Sequence, residues 1–154
     1  MTRIAPLDII EMQTGNGLAY ASVTHVHPSY PPVVRLAPSL CKTRPADPAG
    51  LLQGGDCEIL LMPLETVLSQ LDLDWQKVGA LPDEAGNSPF PTFRTPIRDR
   101  AGAVIYWWYW DGEGLRFDEG SETDLASAAA DLPLREVTGA AGFAALLHGL
   151  GDAP

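Results

Sequence analysis

The chain has 154 residues, 45% of them hydrophobic, and its 20 acidic residues outnumber its 10 Lys and Arg for a net charge of −10. A chain of about 150 residues can bury roughly 70% of its unfolded surface around one core, and this apolar content, with four Trp, four Tyr and four Phe, excludes intrinsic disorder. The negative field, without a basic patch, excludes nucleic acid as a partner, and Arg, Asp, Glu or Pro breaks every apolar run short of the roughly 18 residues of a spanning helix.

Residues 1–11 carry Arg3, Pro6 and Asp8 and no apolar signal core, so a cytoplasmic location is expected. Residues 7–12 predict an Ile-rich strand turned by Thr14-Gly15-Asn16-Gly17, where Gly and Asn suit positive φ angles. A second strand is expected over 18–26; strict alternation puts Ala19, Ala21, Val23 and His25 on one face and Tyr20, Ser22, Thr24 and Val26 on the other. Pro28, Pro31 and Pro32 end it, and 33–37 predicts a third strand. Residues 38–55, punctuated by Pro and Gly, read as a long loop with at most a helical turn near 49–53. A short strand over 58–62 leads to Pro63, which opens a helix whose Leu64, Val67, Leu68 and Leu71 recur at the helical period.

A brief strand is expected over 74–78, then an irregular stretch marked by Pro82, Gly86, Pro89, Pro91 and Pro96. Residues 104–110 predict a strand, Asp111-Gly112-Glu113-Gly114 its turn and 115–117 the returning strand. An alanine-rich helix over 123–130, an extended segment over 133–137 and a last helix over 140–150 complete the reading. The class this implies is a single α+β domain over 1–154: strand-rich, with a mainly antiparallel twisted sheet or partly open barrel and two or three helices.

Few residues carry recognisable chemistry. Cys41 and Cys57 are too few for a thiolate zinc site and are expected to be free in a reducing compartment. His25 and His27, two apart on a predicted strand, would share a face, yet a metal site needs a third ligand that no spacing supplies, so neither metal nor cofactor is expected. The acids from Asp111 to Asp124 do not follow the ligand spacing of a calcium loop, no G-x-S-x-G elbow occurs, and Gly50, Gly54 and Gly55 lack the Lys of a phosphate loop. No catalytic residue is assigned. The alternative is a small-ligand or metal-assisted enzyme using His25, His27 and a loop carboxylate.

The aromatic run Ile105-Tyr106-Trp107-Trp108-Tyr109-Trp110 is the unusual feature. Strand alternation sends Trp107 and Tyr109 one way and Tyr106, Trp108 and Trp110 the other, so large rings occupy both faces. Residues 111–154 hold nine acids against Arg116 and Arg135, and Asp111, Glu113, Asp118 and Glu119 would form an acidic rim beside the rings. One face is expected to join the core, and Tyr106, Trp108 and Trp110 with the rim of Asp111, Glu113, Asp118 and Glu119 suit a protein-binding face, whose field would draw a basic partner.

The order of segments carries a resemblance. Asp8-Ile9-Ile10-Glu11 with Gly17-Leu18-Ala19-Tyr20-Ala21, then Val33-Val34-Arg35-Leu36, then a strand and helix ending in Trp75-Gln76-Lys77-Val78-Gly79-Ala80-Leu81-Pro82, is similar to the bacterial immunity-protein family numbered 26, over roughly residues 8 to 95. The resemblance implies a non-enzymatic inhibitor that neutralises a toxin of a polymorphic toxin system; it assigns no functional residue.

Overall fold

A computed structural model describes residues 4–117 and 132–152. The chain is α+β and strand-rich, and it divides into two compact units, Met1–Ser88 with Val137–Pro154, and Pro89–Glu136. The expected helix at 123–130 lies outside the described residues.

In the first unit, β1 (Asp8–Thr14) and β2 (Gly17–His25) form a hairpin in which Thr14 faces Gly17. The two-residue loop differs from the expected one, because neither Gly15 nor Asn16 takes a positive φ. The Thr14 hydroxyl shapes the turn instead, donating to Gly17 O at 2.7 Å and accepting the Asn16 amide at 3.1 Å. The glycine that matters is Gly17, at φ +151°, where a Cβ would lie 3.1 Å from the Cys41 carbonyl.

β3 (Val33–Leu36) pairs with β2, β5 (Glu58–Leu61) with β3, and β6 (Trp75–Ala80) with β1, giving an open antiparallel sheet in the order β5-β3-β2-β1-β6 rather than a barrel. Alternation gives this sheet two apolar faces. Ile10, Met12, Ala19, Ala21, Val23, Val34 and Leu36 pack under α2 (Leu64–Gln70) and α4 (Ala140–Gly149) through Leu64, Val67, Leu68, Phe143 and Leu147. Ile9 and Tyr20 lie on the reverse with Ala37, Leu52 and Leu81. That side carries the short helices α1 (Pro48–Leu51) and α3 (Asp83–Gly86).

The long 38–55 segment is held to the sheet at several points. Leu18 and Cys41 exchange both backbone hydrogen bonds, and Arg35 donates to the carbonyls of Leu52 and Gly54 at 2.7 and 2.6 Å. Helix α4 is tied at both ends: Thr138 N donates to Leu61 O at 2.8 Å, and β10 (Gly151–Asp152) runs parallel to β4 (Ser39–Leu40), a pairing of distant segments that no local pattern announces. Helix α2 ends as a Schellman turn, with Asp72 at φ +54° and the Leu73 amide bonded to Leu68 O at 3.1 Å.

Two expectations about the histidines are corrected. The register steps from Val23 opposite Val34 to His25 opposite Val33, so Thr24 is an extra residue in a β-bulge. Adjacent residues of β3 face opposite ways, so the bulge turns His25 away from the face of Val23. His27 lies beyond the strand, just before the bend that begins at Pro28, so the pair does not share a strand face.

The second unit is a three-stranded antiparallel sheet of β7 (Phe93–Arg98), β8 (Val104–Trp110) and β9 (Leu115–Phe117). The stretch expected to be irregular thus contains α3 and the whole of β7. Prolines masked the strand, but Pro96 sits on the outer strand of the sheet, where a missing N–H is tolerated. Residues 133–135 run alongside β7: Arg94 N donates to Pro133 O and Arg135 N to Arg94 O.

Candidate functional site

Strand β8 and the turn after it hold most of the residues singled out by sequence. The register with β7 is unbroken from Phe93 opposite Trp110 to Ile97 opposite Tyr106, so the side chains from Trp107 to Trp110 alternate between faces. Arg94 stands opposite Tyr109 and lays its guanidinium over the Trp107 ring, 4.5 Å from the centroid, while its Nε donates to Leu132 O at 2.9 Å. On the other face Trp110 packs on Phe90 and Phe93 at centroid distances of 5.3 and 5.8 Å, with Arg135 over its ring at 4.9 Å.

Exposure divides the aromatic set. Tyr109 and Trp110 are buried, at 3% and 4% exposed, whereas Trp107 and Trp108 are half-buried. Tyr106 lies in β8. Asp111 accepts the amides of Glu113 and Gly114 at 3.0 and 3.2 Å, shaping the turn, and Glu113 is exposed. Asp118 and Glu119 lie outside the described residues. In this turn Gly112 adopts φ +91°, and a Cβ there would meet the Phe90 ring at 2.9 Å.

A second constellation, in the first unit, escaped the sequence reading. Glu11 is 3% exposed in the middle of β1, and its oxygens accept the Tyr20 hydroxyl at 2.8 Å, Arg44 at 2.8 and 3.2 Å and the Gln76 amide at 3.0 Å. Hydrogen bonding from Arg44, against the opposing effect of burial, holds the Glu11 carboxyl down at about 2 from an ordinary 4.5, with Tyr20 and Gln76 adding to it. Burial, then the Glu11 carboxylate, pushes the Tyr20 phenol well above its usual range. A cavity of about 280 Å³ adjoins the group, walled by Glu11, Gln13, Asp74, Trp75 and Gln76. The signal in the sequence was one acid inside an Ile-rich strand, four residues from a two-residue turn that sets it opposite Tyr20.

The histidines and thiols are engaged separately. His25 contacts the Thr24 hydroxyl and the Ser88 carbonyl, each at 2.9 Å, while His27 Nδ1 accepts the Ser29 amide at 3.0 Å and meets the Tyr30 ring edge-on. Cys41 and Cys57 are free thiols; burial pushes the Cys41 thiol up, and Cys57 Sγ donates to Leu51 O at 3.2 Å. No group of three His, Cys, Asp or Glu suited to a metal ion is present among the described residues. Nor does any helix among them have the length and apolarity to cross a membrane. The fold and these two constellations define the class as a strand-rich α+β protein with an aromatic, arginine-stacked strand. Comparison of the chain with protein-family models, curated proteins and solved structures gives no match.

Proposed function

We propose that this chain is a non-enzymatic protein-binding domain, an inhibitor of the immunity type that sequesters a basic protein toxin, with its contact surface built on β8. The observation that carries the reading is the state of Trp107 and Trp108: both half-buried, on opposite faces of one strand, the first stacked under Arg94. Trp and Arg are enriched among binding hot spots; Trp offers large, rigid contact area at small entropic cost, and the stack on Trp107 holds Arg94 in place. The chemistry of the other groups favours this over the enzyme built on His25 and His27. Those two rings have different partners, the oxygens of Glu11 already accept four hydrogen bonds, and the Cys41 thiol is shifted away from the reactive thiolate.

The test is co-expression with the product of the gene adjacent to the one encoding this chain. A stoichiometric complex and rescue of growth are expected. Trp107→Ala and Trp108→Ala should each weaken the complex by about tenfold or more, as measured by calorimetry. A complex indifferent to both substitutions, or turnover of a small molecule lost on His25→Ala, overturns the reading.

A further inference from the structure

The side chain of Arg94 is held at Nε and over its plane, and among the described residues nothing takes its Nη end. Its Nε donates to Leu132 O at 2.9 Å and its Cζ lies over the Trp107 ring, 4.5 Å from the centroid. A hydrogen bond and a stack together fix the position and orientation of a side chain that would otherwise lose much rotamer freedom on binding. Arg94 is only half-buried, and among the described residues no carboxylate pairs with it and no acceptor other than Leu132 O takes its N–H groups. Among the described residues its two Nη atoms thus present a planar fork of N–H donors without an acceptor. That fork matches one ligand geometry best, the two oxygens of a carboxylate accepting end-on, and a Lys at the same place could offer only a point charge.

We infer that the Arg94–Trp107 stack is a carboxylate-binding fork, which receives an Asp, Glu or C-terminal carboxylate of the docked partner. The inference rests on the reading of β8 as the docking surface and adds to it a ligand chemistry. A partner that is basic overall, and so attracted by the net charge of −10, still brings individual carboxylates to close contact. At physiological ionic strength the long-range field is screened over about 8 Å, so the local fork decides whether a carboxylate is held. Arg135, stacked on Trp110, lies on the other face of the strand and belongs to a different environment.

The probe is an acetylated, amidated tri-aspartate peptide titrated into the isotope-labelled full chain at physiological salt and followed by NMR, with tri-asparagine and inorganic phosphate in parallel. Tri-aspartate should shift the Arg94 Nε–H and Trp107 indole resonances with a dissociation constant on the order of millimolar, tri-asparagine should not, and Arg94→Lys should lower the affinity at least about tenfold. Absence of shifts at those resonances, equal binding of tri-asparagine, or unchanged affinity in Arg94→Lys overturns the inference. Tighter binding of phosphate than of tri-aspartate at the same resonances overturns the carboxylate assignment. Should Arg94→Lys lose its native amide spectrum, the location of the shifts in the unsubstituted chain and the tri-asparagine arm decide alone. A complex with the neighbouring gene product that depends on Trp107 and Trp108 but tolerates Arg94→Lys removes the fork and leaves the docking surface standing.

Discussion

A buried carboxylate is costly unless every lone pair is answered, and Glu11 shows how β1 meets that demand. Tyr20 comes from the neighbouring strand, Gln76 from the strand on the other side and Arg44 from the 38–55 segment, so one acid joins three distant pieces of chain. Its folded-state carboxyl titrates at about 2 rather than 4.5. Because the folded value is the lower one, the stabilisation is complete above pH 4.5 and disappears as pH falls towards 2, and linkage puts it on the order of 3 kcal/mol. Urea unfolding at a series of pH values should therefore show the natural chain losing more stability across this window than Glu11→Gln, whose amide does not titrate. Parallel losses in the two proteins would mean that Glu11 is not held by Arg44 in solution. Part of this site was legible: the Thr14–Gly17 turn fixes Glu11 opposite Tyr20. Arg44 was not, because nothing in a Pro- and Gly-rich loop says which strand residue its basic side chains will reach.

At the scale of elements, backbone angles set two expectations. Gly112 combines φ +91° with a ring that would lie only 2.9 Å from an added Cβ, whereas Gly114, two residues on, has open space. Gly112→Ala should cost about 1–3 kcal/mol and Gly114→Ala well under that, compared by thermal unfolding. Equal effects would show that the β8–β9 turn has another shape in solution. Asp72, at φ +54°, ends α2 with a side chain that its left-handed backbone disfavours. Asp72→Gly is expected to raise stability by roughly 1 kcal/mol, and a loss of stability on urea titration would contradict the Schellman assignment. Period-based reading worked where elements were regular: β8, its turn and β9, and the helix opened by Pro63, fall where apolar spacing puts them. It failed at Thr24, since a bulge adds one residue without any compositional mark and so reverses every later facing, and at β7, since an outer strand accepts a proline that a central one would reject.

For the whole molecule the governing quantity is charge. A net −10, concentrated so that nine acids and two bases lie in residues 111–154, creates a field that speeds encounter with a cationic surface while contributing less to how long the complex lasts. The association rate with the neighbouring gene product is expected to fall about tenfold between roughly 50 and 500 mM salt. It should fall also when Asp118, Glu119 and Glu122 are all replaced by Lys, measured by stopped-flow mixing at low salt. A rate insensitive to both changes would remove electrostatic steering from the proposed function and leave the aromatic contacts to carry it.

Composition and periodicity by themselves determined the α+β class, the hairpins, the α2 helix, the aromatic alternation of β8 and the acidic field, because each depends on residues near one another in sequence or on a sum over all of them. Only the tertiary structure decided which side chains are used. It buried Trp110 and left Trp107 half-open, turned His25 away from the face of Val23, brought Arg44 to Glu11, and set Arg94 on Trp107 with Leu132 holding its Nε. Those outcomes rest on contacts between segments up to 38 residues apart along the chain, and on a one-residue bulge. Local propensity carries no information about either.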